Sequence, residues 1–574
     1  MKKLKSAVAL FLTLGLTLTS FIGCHGKDSG DWDVIIDETQ TQLYVSNLNF
    51  GIGYDWLNKV KRRFETVYAE ESFETGKKGI QVIIDTENQV NGAWLIIPNS
   101  SWDVYFNENL PFNDYVSQGQ LLDISDVVKA PAYGETKTIE RKLTDDQKAS
   151  ITAYDGKYYV LPHYEAYRGL SYNVKVFEDN KLFFAENKDN GNGGFVVSAK
   201  DKRSLGPNGK TGVIAGVDYS YDDGLPATVD EFFALCDRMV LVGVTPFVWP
   251  GAAVAYSEYI VDAFAEAFSG SEQLGYNFSI DSGIKTTEVI TGFNGNTPVT
   301  EKVTISNENG YMLRRQAAKY YGYAVFAKII ENLDKYVYSL SDNNSTFTQY
   351  DSQEEFLAGE FENKPIGMIA DGNYWWNESI KSGAYQRTVN QFGGKAEEKS
   401  REFAWMPLPG VWSATDGETP VTEPVLKDAM KSYCFVNADI KNDPGKVKAA
   451  KAFVSFCYSD ESLQEFTVTT GVAKGLDYEL TTEQENSLAS LGKSCWTLRK
   501  SCNVVRLLSS NRLFIENQGD FTTNLHTSVV NGQAYLTPFT AFKAKVSARE
   551  YFMGNWTSES DWNKNYSKYF TEGY

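Results

Sequence analysis

Apolar and polar positions along the chain switch between two periods. Gln42–Leu48 alternates with a period of two, as a half-buried strand does. Trp56, Val60, Phe64 and Val67 then fall on one helical face behind Asp55, a residue type that caps helices. Ile80–Asp85 reads as the next strand, and strand–helix–strand predicts a parallel pairing. Thr228-Val-Asp-Glu231 reads as a capping box that opens a helix through Phe232, Leu235 and Met239, stopped by Gly243. Ser352-Gln-Glu-Glu355 reads as a second box, followed by a short helix and the strand Pro365–Ala370. Asp443 and Pro444 start a helix over Val447–Cys457, with proline in the first turn, and Met312–Leu333 carries a long helical pattern. Two segments read as insertions. Residues 181–225 are rich in Gly and Asp, and residues 274–306 predict a hairpin around Gly292–Asn296.

The amino terminus carries a different pattern. Met1–Lys5 is positively charged, and the 17 residues Ser6–Ile22 are uncharged but too short to span a bilayer. The stretch predicts an export signal over residues 1–23. It closes on Phe21-Ile-Gly-Cys24, which resembles the bacterial lipobox with Cys24 as the lipidated residue, although Phe21 departs from the usual Leu. Residues 24–41 then read as a polar tether. The expected location is the extracytoplasmic face of the cell membrane, held by lipid at Cys24. Cys236, Cys434, Cys457, Cys495 and Cys502 remain, an odd number; buried thiols and a Cys495–Cys502 disulfide are both open readings.

Charge narrows the function. The chain has 574 residues and a net charge of -19, which becomes -22 once Lys2, Lys3 and Lys5 leave with the signal. Such a body repels phosphate backbones, so nucleic-acid binding is excluded. The glycine loop Asn49-Phe-Gly-Ile-Gly-Tyr54 invites a dinucleotide reading, but Trp56 stands where the third glycine belongs. With 3 His, no nucleophile elbow, no His-Glu-x-x-His motif and no singled-out carboxylate pair, an enzyme is not expected and no cofactor is implied. Asp218, Asp222 and Asp223 form a weak calcium candidate without EF-hand spacing. The 34 Phe, 34 Tyr and 12 Trp supply a core and enough rings to line a ligand cleft.

Seven segments in order resemble the carbohydrate-type extracellular solute-binding proteins of bacterial ABC importers, the group that includes maltose-binding protein. They are Trp102–Phe106 with Tyr115–Leu122, Gly156–Pro162 with Gly169–Asn173, Thr245–Pro250, Gly359–Trp376, Met406–Pro409, the helix ending at Phe456, and Thr470-Gly471. The resemblance runs from about residue 42 to 560. It implies an α/β, two-lobe periplasmic-binding-protein-like fold, each lobe a mixed sheet flanked by helices. Lobe 1 is expected from residues 42–165 and 430–490, and lobe 2 from 166–429 and 491–574. A monomer that captures a carbohydrate and hands it to permease subunits follows from the same resemblance.

Sugars offer apolar C–H faces for aromatic stacking and hydroxyls for polar groups. Asp371, Tyr374, Trp375 and Trp376 follow a strand end, where open α/β sheets bind ligands. Neighbouring residues point apart, so one tryptophan is expected on the ligand and the other in packing. The resemblance places Glu165, flanked by His163 and Tyr164, at the acid that contacts sugar hydroxyls after the crossover proline; a hinge salt bridge is the alternative. Asn107 and Glu108 match the first lobe's cleft edge, Tyr54 and Asn49 lie in the first loop, and Trp249 is divided between ligand and core. A tethered carbohydrate sensor or adhesion protein, or an importer for a non-sugar solute such as a peptide, would use the same residue pattern.

Overall fold

The computed structural model describes residues 35–47, 51–85, 97, 100–108, 110–185, 194–196, 212–214, 217–219, 224–277, 285–342, 344–413, 424–428, 432–502, 504–506 and 527–566. The chain runs β1 (Thr41–Asn47), α1 (Asp55–Val67), β2 (Ile80–Asp85), β3 (Val104–Asn107) and β4 (Val160–Pro162) before it first crosses over. It continues through β5 (Arg168–Asn173), α2 (Val229–Leu241), β6 (Thr245–Val248), α3 (Glu258–Tyr276), β7 (Lys285–Asn294), β8 (Thr297–Ile305), α4 (Ala317–Glu331) and α5 (Gln349–Ala358). Next come β9 (Ile366–Gly372), α6 (Trp375–Lys381), β10 (Phe403–Trp405), β11 (Tyr433–Val436), α7 (Pro444–Cys457), α8 (Asp460–Thr470) and α9 (Ser490–Ser501).

Two mixed sheets result. The first has the order β2-β1-β3-β11-β4, with β1 parallel to β2 and β3 and with β11 antiparallel to β3 and β4. The second has the order β6-β9-β5-β10, with β6 parallel to β9 and with β5 antiparallel to β9 and β10. Each sheet has its own apolar core: Trp56, Phe64, Phe106, Phe453 and Phe466 belong to the first, and Phe232, Phe247, Trp249, Phe264 and Phe326 to the second.

Local rules account for the helix starts. Thr228 Oγ1 accepts from Glu231 N, and Asp443 Oδ1 accepts from Lys446 N with Pro444 in the first turn. Three expectations shift. Asp55 is the first residue of α1 and caps nothing; Tyr54 precedes it without a side-chain cap bond, and Val67 is exposed. The capping box of α5 is Thr348 with Asp351, and Ser352 sits inside the helix. The pattern over Met312–Leu333 splits into a 3₁₀ turn, Gly310–Arg315, and α4. β7 and β8 form the hairpin expected within residues 274–306. Cys236, Cys434, Cys457, Cys495 and Cys502 are all free thiols, which removes the Cys495–Cys502 disulfide. Among the described residues, no helix is long and apolar enough to cross a membrane.

The crossing segments are stapled by backbone and side-chain bonds. His163 N donates to Ser432 O, Glu165 N to Ala473 O and Ala166 N to Asp428 Oδ1. Three stretches of chain, far apart in sequence, therefore run together beside the first sheet's edge strand.

Candidate functional site

The parallel strands β1 and β3 end at Asn47 and Asn107, so their carboxyl ends open on one side of the first sheet. The second sheet meets that side through the segment after β9. Tyr374 precedes α6, yet its ring joins the first lobe's apolar cluster. A Cβ on Gly51 would stand 2.7 Å from Tyr374 Cδ2, so the loop after β1 needs glycine for this approach. Asn377 Nδ2 donates to Gly51 O at 2.7 Å and to Ile52 O at 2.6 Å, and Lys381 pairs with Asp55. The contact is therefore built from the first βα loop and the start of α6.

Behind this contact lies a buried polar cluster. Gln353 Nε2 donates to Asp371 Oδ2 at 3.1 Å and to Glu378 Oε2 at 2.7 Å. Burial raises both carboxyls above the ordinary range, and the charge of Asp371 raises Glu378 further. Tyr164 donates to Glu108 Oε1 at 2.7 Å; burial first and that carboxylate second push its phenol well up. Tyr164 and Tyr374, from the two sheets, belong to one apolar cluster, and Tyr256 lies against the Tyr259 ring at 5.0 Å. Arg168 lies over the Tyr259 ring at 4.9 Å. Burial opposes its charge, but Tyr259, Tyr374 and Asp262 hold its guanidinium above the usual value. Phenol rings and carboxyl groups together suit a ligand with apolar faces and hydroxyl donors.

The family model of the bacterial extracellular solute-binding proteins matches residues 58–464.

The chain belongs to that family.

As a solute-binding protein it is a binder and not an enzyme. No curated protein sequence matches it. Solved structures resemble it at low identity. A chain from work on xylan utilization by Caldanaerobius polysaccharolyticus is 13% identical, with 90% of this chain and 99% of that one covered and a TM-score of 0.52. A probable secreted solute-binding lipoprotein of Streptomyces coelicolor is 12% identical (92% and 100% covered, TM-score 0.49). Apo RafE of Streptococcus pneumoniae is 14% identical (89% and 100% covered, TM-score 0.48). The first of these likenesses shows a shared fold.

In this solute-binding protein the residues singled out from the sequence separate into two groups. Tyr164, Glu108, Asn107, Asp371 and Tyr374 are drawn to the meeting of the lobes, and Tyr54 lies beside it under Lys381 Nζ at 5.8 Å. The others are held by protein groups. Trp375 has no exposed surface, donates from Nε1 to Ser171 Oγ at 3.1 Å and packs on Phe356 and Phe403. Trp376 is also buried, against Tyr385 and Phe403. Trp249 is core, with its indole N–H on Ser341 O at 3.0 Å. Glu165 accepts from Tyr167 Oη at 2.6 Å and Arg499 Nε at 2.7 Å and pairs with Arg506, so in this structure its carboxylate is held in a buried ion pair. Burial would raise its carboxyl, but the two guanidinium groups overcome that and hold it at about 2. Asn49, Cys24, Asp222 and Asp223 lie outside the described residues, as does the side chain of Asp218. Among the described residues, no group of three His, Cys, Asp or Glu is placed to hold a metal ion.

Sequence reading missed Gln353, Glu378, Arg168, Tyr256, Tyr259 and Tyr350. Glu378 follows Trp375 and Trp376 by three and two positions, so the spacing of that short helix was the available signal. Tyr256 and Tyr259 sit three apart on either side of the start of α3, on one helical face.

Proposed function

We propose that this solute-binding protein is the capture subunit of a bacterial ABC importer for an oligosaccharide or related carbohydrate. The observation that carries this reading is the meeting of Tyr164, bonded to Glu108, with Tyr374 from the other sheet in one apolar cluster. Rings from two lobes can sandwich a pyranose, and the carboxyl groups can hydrogen-bond its hydroxyls. Closure then adds one lobe's contacts to the other's, so ligand favours the closed state by its differential affinity. The xylan-utilization neighbour agrees with a sugar as cargo. Cys24, lipidated at the end of the export signal, would tether the protein outside the cell membrane beside its permease. Tyr54, Asn49, Asn107 and Asp371 remain proposed ligand contacts.

A calorimetric and thermal-shift screen of the full chain against neutral oligosaccharides and peptides tests the reading. Sugars are expected to bind and to raise the melting temperature. A shift with peptides and none with sugars would reject it.

A further inference from the structure

One short segment of lobe 2 touches the opposite lobe repeatedly. Tyr374 has helical backbone angles (φ -89°, ψ -9°), so its side chain continues the face of α6 that carries Asn377 and Lys381. All three reach the loop after β1. The Tyr374 ring packs in the first lobe's apolar cluster, Asn377 Nδ2 donates to Gly51 O and Ile52 O, and Lys381 pairs with Asp55. The opposite face of the same helix is rooted in its own lobe. Trp375 bonds Ser171 and packs on Phe356 and Phe403, and Ser379 is fully buried.

Three glycines make room for this seam. Gly51 and Gly372 have no positive φ, so their backbone does not demand glycine; the ring of Tyr374 does. A Cβ on Gly51 would stand 2.7 Å from Tyr374 Cδ2, and one on Gly372 would strike Cε1 and Cζ of the same ring. At Gly53, whose φ is +70°, a Cβ would stand 2.7 Å from Lys381 Cε. The seam also joins the crossing segments. Asn373 N donates to Tyr167 O at 3.0 Å, Tyr167 N donates to Asn373 Oδ1 at 3.0 Å, and Asn373 Nδ2 reaches Glu165 O at 3.3 Å. Contacts therefore follow one another from the crossing outward to Asp55, which is exposed.

We propose that the Tyr374–Asn377–Lys381 face of α6 is a latch that holds the lobes closed through protein contacts alone, and that cargo enters only when its grip on Gly51–Asp55 parts. Such contacts bias the open–closed equilibrium before any cargo adds its own differential affinity. Opening of the latch then limits both capture and release. The inference goes beyond the carbohydrate reading and holds for any cargo.

Pulsed dipolar spectroscopy of the full chain, with spin labels at Arg62→Cys and Gln386→Cys, tests it. Both positions are exposed, one on α1 behind the loop and one on the helix Ala384–Phe392 that follows α6. Cys24→Ser and Cys502→Ser keep other thiols from labelling, and refolding from urea strips cargo. With no sugar added, one short, narrow distance is expected. Asn377→Leu loses two bonds and should shift the open-to-closed ratio roughly 30-fold toward a longer distance. Gly51→Ala should do the same by displacing the ring, whereas Tyr374→Phe, which keeps the ring, should retain the short distance. If Gly51→Ala melts far below the parent, Asn377→Leu decides. A long or broad distance in the parent, or a short one that survives Asn377→Leu, would overturn the latch. Neither result bears on sugar capture, which the binding screen decides separately.

Discussion

Asn377, in the first turn of α6, holds the carbonyl of Gly51 in the opposite lobe at 2.7 Å. The same amide reaches Ile52 O, so one side chain from lobe 2 satisfies two backbone acceptors of lobe 1. Neutral hydrogen bonds of this kind contribute about 1 kcal/mol each. Asn377→Leu is therefore expected to favour the open arrangement and weaken ligand binding roughly 30-fold. Small-angle scattering should show a larger radius of gyration, and calorimetry the weaker affinity. An unchanged radius and affinity would show that the latch does not govern closure.

Glu165 is expected to act on stability before it acts on ligand. Removing its charge by Glu165→Gln leaves Arg499 and Arg506 buried at the crossing without their acid. The cost should be about 3–5 kcal/mol in urea unfolding. The sign with pH follows from its depressed carboxyl at about 2, below the ordinary 4.5. The stabilisation is complete above pH 4.5 and is lost as pH falls toward 2. The wild type should therefore lose stability in that acid window more steeply than the variant.

Lys474 gives a slope of the same sign in an alkaline window. Its ammonium is fully buried among Trp56, Phe106, Tyr458 and Phe466, with His163 Nδ1 3.3 Å away. Burial lowers it from 10.5 to about 8, against the pull of Cys434 and Cys457. Because the unfolded chain holds this proton longer, stability should rise by about 3 kcal/mol as pH climbs from 8 to 10.5. Lys474→Met should be more stable than wild type at pH 7 and should flatten that slope. A variant that melts lower at pH 7 would show that the aromatic cage outweighs desolvation.

Tryptophan and tyrosine substitutions should separate packing from recognition. Trp375→Ala empties a fully enclosed site and should cost about 3–5 kcal/mol of stability. Tyr256→Ala and Tyr350→Ala change half-buried rings and should leave melting nearly unchanged while weakening sugar binding roughly 10-fold each. Parallel melting curves and titrations check both halves; a Trp375→Ala protein of normal stability would contradict the packing role.

The periodicity of Gln42–Leu48, Trp56–Phe64 and Ile80–Asp85 determined a βαβ unit, because alternation and helical spacing follow from local geometry. Asp443 with Pro444 likewise determined a helix start, since a cap is satisfied within one turn. Seven motifs in order were enough to bring out the family. Tertiary structure alone decided which polar residues face one another. Glu165 reads as a ligand acid until Arg499 and Arg506, more than 300 positions away, claim its oxygens. Trp375 reads as a stacking platform until Phe356, Phe403 and Ser171 enclose it. Gln353, which joins Asp371 to Glu378, carries no mark in the sequence. Patterns along a chain report what each segment does with its own backbone and its own apolar face. Pairing of buried charges depends on where folding brings distant segments together, and this protein's site is made of such pairings.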